Sequence, residues 1–183
     1  MEQYPVRKIE KPIDWCVTVP GSKSMTNRAL LMAALSDGTV TLDGVLFSDD
    51  SRHFISSLTA LGFDVLVEEE KRRVTVKGES GTIPKKEAEI DVGSAGTAAR
   101  FLTAMLGMSD GSYVIQASGQ MKKRPMKDLL LALEGLGASF AYLEEPYHFP
   151  MKVTGMGINT EKCSKIFLNI DQSSQFLSAL LMV

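Results

Sequence analysis

An internal repeat constrains the fold of this chain more than any single motif does. Residues 21–38 read GSKSMTNRALLMAALSDG, residues 93–111 read GSAGTAARFLTAMLGMSDG, and a third start, SSQFLSALLM, follows at 173–182. Arg28 of the first copy matches Arg100 of the second, 72 residues later. A repeat of this length indicates that each copy is one supersecondary unit, which buries its apolar side by packing on the next. The sequence therefore predicts a single domain built from stacked units.

The repeated pattern also predicts the fold class. Each unit is expected to run strand, helix, strand, helix and then two strands, so the chain is predicted to be an α/β protein of β-α-β-α-β-β units. The helices that begin near residues 24, 96 and 174 are apolar almost all round, which is typical of buried helices. We expect these helices to pack side by side and roughly parallel. The units are predicted at about residues 14–78, 87–155 and 165–183, the last of them partial.

Local signals give the predicted boundaries of the elements. Ser48 is a good N-cap, with Asp49 and Asp50 in the first turn of the helix that follows. Pro125 suits the first turn of a later helix that reaches about residue 136. Cys16 falls in the first predicted strand and is expected in the core, as are most of the Met residues. The predicted strands lie near residues 15–19, 39–42, 63–67, 73–77, 88–92, 112–116 and 166–170.

The composition limits the class of protein and its location. With 44% hydrophobic residues, a mean hydropathy of +0.02 and a formal net charge of −2, the chain is typical of a soluble globular protein. It shows no signature of nucleic-acid or membrane binding. The two cysteines, Cys16 and Cys163, are far apart, which favours a reducing compartment and argues against structural zinc. Because no apolar signal stretch opens the sequence, a cytoplasmic location is expected.

The strongest chemical motif is PGSKSMTNR, which lies where the first strand is predicted to end and the first buried helix to begin. Ser22 and Ser24 offer hydroxyls beside the free N–H groups of the helix start, a place that binds anions. Lys23 adds a point charge, and Arg28 adds a planar fork suited to a carboxylate or phosphate. The alternative is a capped helix whose basic residues are merely solvated. Because Arg28 stands among apolar neighbours, where an unpaired cation is costly, the anion-binding interpretation is favoured.

Three further segments place polar groups at helix starts. GSAGTAAR repeats the first design with Gly96 and Thr97, although an ordinary glycine-rich helix start explains it equally well. GQMKKRPM sets Arg124 beside a proline-fixed turn, whereas the two lysines before it are expected to be solvated. SSQ at 173–175 places two hydroxyls and an amide at the third helix start, and by itself it indicates a helix cap.

The remaining candidates have more ordinary explanations. Asp49 and Asp50 could act as an acid/base pair, but an acidic pair in a first turn is more often a helix cap. His53 and His148 have no partners at metal-ligand spacing and are expected to be structural or exposed. Neither G-x-x-x-x-G-K-[ST] nor G-x-G-x-x-G occurs, so the sequence lacks the usual nucleotide-binding loops.

Several motifs occur in an order that resembles the 5-enolpyruvylshikimate-3-phosphate (EPSP) synthase family. They are PGSKS followed by NRALL, SDD, GTAAR, MKKRP and SSQFLSALLM, and the resemblance runs from about Val17 to the last residue. The related UDP-N-acetylglucosamine enolpyruvyl transferases share the fold but are not expected to carry PGSKS or this SSQ. The resemblance implies two domains, each with three such units around three buried parallel helices whose N-termini face a substrate cleft.

The resemblance also implies an activity, that of a 3-phosphoshikimate 1-carboxyvinyltransferase. The enolpyruvyl group of phosphoenolpyruvate passes to the 5-hydroxyl of shikimate 3-phosphate, a step of aromatic amino acid biosynthesis, and phosphate is released. No metal or organic cofactor is implied. Shikimate 3-phosphate and phosphoenolpyruvate are the implied ligands, and neither a nucleic acid nor a membrane is expected as a partner.

A role for each matching residue follows from the same resemblance. Lys23 is expected to be catalytic and to contact both substrates. Shikimate 3-phosphate is expected to bind Ser24 and Arg28, with its phosphate on Ser173 and Ser174. Gln175 is expected to touch both ligands, and Gly96 and Arg124 are expected to bind phosphoenolpyruvate. The further candidates are Asp50, Ser94, Thr97 and Arg100. Ser94 departs from the family, which commonly has Asn at that position.

Family members are much longer than 183 residues. The resemblance assigns the principal acid/base Asp and Glu to the parts not matched here. We therefore expect the chain to carry one wall of the site and to be inactive alone, and it could associate with itself through the face that the partial third unit leaves open. Two alternatives remain, a non-catalytic anion-binding module and a structural repeat domain with internal ion pairs. The structural domain predicts carboxylate partners for Arg28 and Arg100, whereas the other interpretations predict an anion at the helix starts.

Overall fold

The computed structural model of the chain describes residues 4–6, 8–10, 12, 14–157 and 165–183, so Cys163 lies outside the described residues. These residues form a mixed α/β fold with two sheets. The helices are α1 Lys23–Leu35, α2 Asp49–Ala60, α3 Gly96–Gly107, α4 Gly119–Lys122, α5 Lys127–Leu136 and α6 Gln175–Leu181. The strands are β1 Asp37–Asp43, β2 Val65–Glu68, β3 Arg73–Glu79, β4 Glu87–Asp91, β5 Ser112–Gln116, β6 Ser139–Tyr142 and β7 Met151–Thr154.

The two sheets are built alike, except that the second has one additional strand, β4, at its edge. The first has the strand order β1-β3-β2 and is antiparallel throughout. The second has the order β4-β5-β7-β6, with β4 and β5 parallel and the other pairs antiparallel. From β4 to β7 the chain runs strand, helix, strand, helix and two strands, apart from the short α4. From α1 to β3 it runs through the same order without the first strand, and a short 3₁₀ helix, Glu69–Lys71, lies between β2 and β3.

Helix α3 lies at the centre of the core. All twelve of its residues are buried, and it packs against α1, α2, α5 and α6 as well as β5 and β7. The predicted burial of the second repeated helix is therefore confirmed. Since α3 contacts both α1 and α6, the helices of the three repeated segments pack together through α3. Among the described helices, none is long and apolar enough to span a membrane.

The predicted strand at 15–19 is not formed. This segment carries no strand pairing, and Trp15, Val17 and Val19 are 79%, 72% and 74% exposed. Cys16 is likewise exposed, so its predicted place in the core is wrong. The physical reason is that an alternating apolar pattern favours a strand but forms one only beside a partner.

The third predicted unit also differs from expectation. No strand forms at 166–170, where Phe167 is 93% exposed.

Helix α1 is buried on one side only, since Met25 and Met32 are 64% and 61% exposed, so not all methionines in the apolar helices belong to the core. An all-round apolar helix becomes buried only where neighbours cover every side, which the described chain does for α3 but not for α1.

Two local predictions in the second unit need correction. Helix α5 begins at Lys127, so Pro125 lies two residues before it rather than in its first turn. The short α4 was not predicted; Ser118 caps it, its hydroxyl accepting a bond from the Met121 N–H at 3.3 Å. The prediction for Ser48 is confirmed, since it is the N-cap of α2 and forms a capping box with Ser51.

Candidate functional site

Helix α1 begins with the cap that the sequence predicts. The Ser22 hydroxyl accepts a bond from the Met25 N–H at 3.4 Å. Lys23 Nζ lies 3.2 Å from Asp50 Oδ2, in the first turn of α2. Asp50 therefore faces both a helix N-terminus and an ammonium group, each of which stabilises its negative charge. This arrangement favours the helix-cap interpretation of the acidic pair over a free acid/base pair.

Arg28 packs toward α3 and keeps donors free. Its Nη1 donates to the Ser24 carbonyl at 3.2 Å, and its guanidinium carbon lies 5.2 Å from the centre of the Phe101 ring. No described carboxylate forms an ion pair with it. A guanidinium has five N–H donors, so most of the donors of this half-buried side chain remain available to an anion.

The start of α3 concentrates positive charge around Gly96. A methyl group at Gly96 would lie 2.6 Å from Arg124 Nη1 and 3.0 Å from Arg100 Nη1, so both guanidinium groups lie against this glycine. Ala95 supplies no side-chain cap. Within the described chain, no acceptor meets the N–H groups of the first turn, which belong to residues 96–98. Free N–H groups and two cations together form a site suited to an anion.

Arg100 is the more deeply placed of the two arginines. Only 7% of the residue is exposed. Its Nη1 donates to Gln175 Oε1 at 2.8 Å and to the Gly96 carbonyl at 3.3 Å, and its Nη2 donates to the Pro125 carbonyl at 3.4 Å. Burial lowers the pKa of the Arg100 guanidinium, and the charge of Arg124 lowers it further. Among the residues that the structure describes, neither arginine has a carboxylate partner.

Gln175, the first residue of α6, connects the third repeat to α3. Its Nε2 donates to Thr97 Oγ1 at 3.3 Å, while its Oε1 accepts from Arg100. The Ser173 hydroxyl accepts from the Gln175 N–H at 3.2 Å, whereas Ser174 makes no side-chain cap and is exposed. Thr97, Arg100 and Gln175, which are far apart in the sequence, therefore form one hydrogen-bonded group.

Two contacts near the α3 start have no clear signal in the sequence. The Ser94 and Ser118 hydroxyls are 2.7 Å apart, which ties the glycine-rich turn to the α4 cap. His53 Nδ1 lies 3.0 Å from the Asp91 carbonyl, and its ring would collide with any side chain at Gly93. His53 is thus structural, as one of its predicted alternatives stated. A serine before Gly-Gln-Met was the one local signal for the α4 cap, since serine is a preferred N-cap residue.

Lys122 and Lys123 are not part of the hydrogen-bonded group that Thr97, Arg100 and Gln175 form. Lys123 is exposed, as the prediction of a solvated basic turn requires, whereas Lys122 is half-buried and pairs with Glu144 at 2.6 Å. A cleft of about 440 Å³ lies between the start of α2 and the turn before α3. Its lining includes Asp50, His53 and Ser94.

Comparisons with known proteins agree with this architecture. Residues 7–183 match the family EPSP synthase (3-phosphoshikimate 1-carboxyvinyltransferase). The 3-phosphoshikimate 1-carboxyvinyltransferases of Nostoc sp. and Vibrio atlanticus are 38% and 42% identical to this chain over 183 residues. Each match spans 100% of this chain and 42% of the relative's own length, so the chain spans well under half of the curated relatives it matches.

A solved structure agrees on the fold alone. The EPSP synthase from Acinetobacter baumannii superposes with a TM-score of 0.75 at 24% identity, covering 91% of this chain and 37% of that one.

Proposed function

The chain belongs to the EPSP synthase family, and on that premise we propose that it supplies one wall of an active site that transfers an enolpyruvyl group. The group would pass from phosphoenolpyruvate to the 5-hydroxyl of shikimate 3-phosphate. One observation carries the proposal: Arg28 in α1 and Arg124 beside the start of α3 have no carboxylate partner in the described chain. Both substrates are anions that guanidinium groups recognise.

The geometry supports a division of the wall into two parts. Gly96 and Arg124, with the free N–H groups of α3, would hold phosphoenolpyruvate. The residues that would hold shikimate 3-phosphate are Lys23, Ser24, Arg28, Ser173, Ser174 and Gln175. Asp50, Ser94 and Thr97 already bond to protein neighbours, so they would support these residues.

The reaction needs a new C–O bond and the loss of phosphate. The 5-hydroxyl oxygen would add to the carbon that bears the phosphate while the hydroxyl proton is removed and the neighbouring carbon gains a proton. The carbon with the new C–O bond would then release phosphate while the neighbouring carbon loses a proton, which restores the double bond between them. Lys23, whose Nζ lies beside Asp50, would anchor an anionic oxygen and move a proton at Nζ.

The structural-domain alternative is not supported. It predicts carboxylate partners for Arg28 and Arg100, and the described residues provide none. A half-buried cation without an anionic partner is costly, so a structural role alone does not explain Arg28. A non-catalytic anion-binding module would use the same contacts, and a turnover measurement separates it from an enzyme.

Titration calorimetry of the 183-residue chain with shikimate 3-phosphate tests the proposal. Arg28→Ala removes a charge-assisted partner, so its Kd should rise about ten- to hundredfold. Arg73→Ala removes a guanidinium that pairs with Asp43 across the first sheet, and it should leave the Kd unchanged. Equal affinities of wild type and Arg28→Ala, or no binding at all, would contradict the proposed function.

A further inference from the structure

The carboxamide of Gln175 is held at both ends by α3. Arg100 Nη1 donates to its oxygen at 2.8 Å, and its nitrogen donates to Thr97 Oγ1 at 3.3 Å. The oxygen and nitrogen of an amide have nearly the same shape, so hydrogen-bond partners decide which way the group faces. A guanidinium only donates. Arg100 therefore requires the amide oxygen on its side and turns the NH₂ group away.

Arg100 is poorly placed to contact a ligand itself. It is 7% exposed, its guanidinium carbon lies 5.3 Å from the centre of the Phe176 ring, and its two terminal nitrogens donate to protein oxygens. Each of those bonds is made to α6, to α3 itself or to the turn before α5. The side chain thus links three segments and leaves little of its surface to a substrate.

The internal repeat provides a comparison within the same molecule. Arg28 occupies the position in α1 that Arg100 occupies in α3, and both bond the carbonyl four residues earlier and lie over a phenylalanine. Arg28 is half-buried and bonds no side chain in the described structure, whereas Arg100 is buried and bonds Gln175. The two equivalent arginines have therefore diverged: Arg28 bonds only a carbonyl of its own helix, whereas both terminal nitrogens of Arg100 bond protein oxygens.

We propose that Arg100 is a positioning residue that fixes the orientation of the Gln175 carboxamide, and that it does not bind substrate itself. This inference rests on the proposed function, in which Gln175 contacts the ligands. The expected consequence is that replacing Arg100 weakens ligand binding only while Gln175 is present.

A double-mutant cycle on the Kd for shikimate 3-phosphate tests this dependence. Arg100→Met and Gln175→Ala should each weaken binding about tenfold. The double variant should bind within about twofold of Gln175→Ala, because coupled residues are not additive. Additive losses, about a hundredfold in the double variant, would show that Arg100 acts on the ligand or the fold independently, and would overturn the inference. Arg73→Met is the matched control and should leave the Kd unchanged.

A second readout does not need a ligand. In the NMR spectrum of the unliganded chain, the side-chain amide of Gln175 should show a restrained, dispersed proton pair that becomes mobile in Arg100→Met but not in Arg73→Met. An unchanged Gln175 amide in Arg100→Met overturns the inference even if wild type binds. A restrained Gln175 amide in a wild type that fails to bind, made mobile by Arg100→Met, would sink the proposed function while supporting the positioning contact.

If Arg100→Met does not fold, Arg100→Lys replaces it in both measurements. A lysine keeps the charge and a single donor group but lacks the planar fork. Partial mobilisation of the Gln175 amide is then expected, with a loss of affinity that again disappears in the Gln175→Ala background. A loss that persists in that background would overturn the inference.

Discussion

Arg100 donates a 2.8 Å hydrogen bond to Gln175, and these two residues occupy equivalent positions in the second and third repeats. The contact brings the starts of α3 and α6 together. A third arginine at position 175 would place two guanidinium groups at hydrogen-bonding distance, where like charges repel strongly. A glutamine at this position instead offers the oxygen that Arg100 needs. The change from Arg to Gln between repeats therefore has a direct physical reason.

Gly96→Ala should weaken anion binding without unfolding the chain. The new methyl group would lie 2.6 Å from Arg124 Nη1 and 3.0 Å from Arg100 Nη1, and the flexible ends of these side chains must move away. We expect about a tenfold rise in the Kd for phosphoenolpyruvate, measured by NMR titration. Gly135→Ala, in an open position of α5, is the control and should keep its affinity. Equal Kd values for Gly96→Ala and wild type would show that this glycine does not border the anion site.

Gly93→Ala should destabilise the fold more than an ordinary glycine replacement in the left-handed region. Gly93 has φ +53°, and a methyl group there would lie 2.1 Å from His53 Nε2. Gly44, at φ +75° with open space around it, is the matched control because it carries the backbone strain alone, about 1–3 kcal/mol. Urea unfolding should show a larger loss for Gly93→Ala, and His53→Ala should remove the difference. Identical losses at both glycines would rule out the contact.

Stability should fall in strongly alkaline solution because of Tyr142. Burial, and then the charge of Glu134, raise the pKa of its phenol from 10.0 to about 12. The folded state therefore favours the neutral phenol, so this contribution to stability is complete below the unfolded pKa and is lost as the pH rises from about 10 to about 12. Phenolate absorbance should show a late titration that is missing in Tyr142→Phe. A titration curve unchanged by that substitution would contradict the assignment.

The polypeptide of these 183 residues should show no transferase activity. Catalysis by proximity and fixed charge needs groups on both sides of the reacting atoms. The described residues near the site supply mainly cations and helix N–H groups, and the nearby Asp50 carboxylate already pairs with Lys23. Phosphate release with both substrates is the measurement. Turnover that disappears in Lys23→Ala would show that this wall suffices, whereas turnover that persists in that variant would indicate a contaminating enzyme.

The chain should associate with itself at high concentration. Apolar side chains on α1 and α6 are exposed, including Met25 at 64%, Met32 at 61% and Leu181 at 76%, and exposed apolar surface favours association. Sedimentation velocity should show a concentration-dependent rise in mass that Met25→Lys combined with Met32→Lys reduces. Leu66→Lys, at a 58% exposed position on β2, should not reduce it. A strictly monomeric wild type would show that this surface is not adhesive.

Local signals predicted much of the fold. The strand predicted at 112–116 is β5 Ser112–Gln116, and the Ser48 cap begins α2 as expected. Caps, turns and alternating patterns act between residues that are close in the chain, so the sequence alone is enough to indicate them. The candidate residues Gly96 and Arg124 could likewise be singled out from their places at helix starts, and the structure brings them together.

The sequence by itself determined the repeat, the class of the fold and the positions at which basic and polar groups recur near helix starts. Only the tertiary structure decided that Arg100 bonds the Gln175 side chain whereas Arg28 bonds no side chain among the described residues, although the two arginines stand in matching motifs. It also decided that residues 15–19 and Met32 are exposed despite apolar patterns like those of the core. The reason is that a pattern records what a side chain prefers, whereas pairing, burial and charge compensation depend on which distant residues lie beside it.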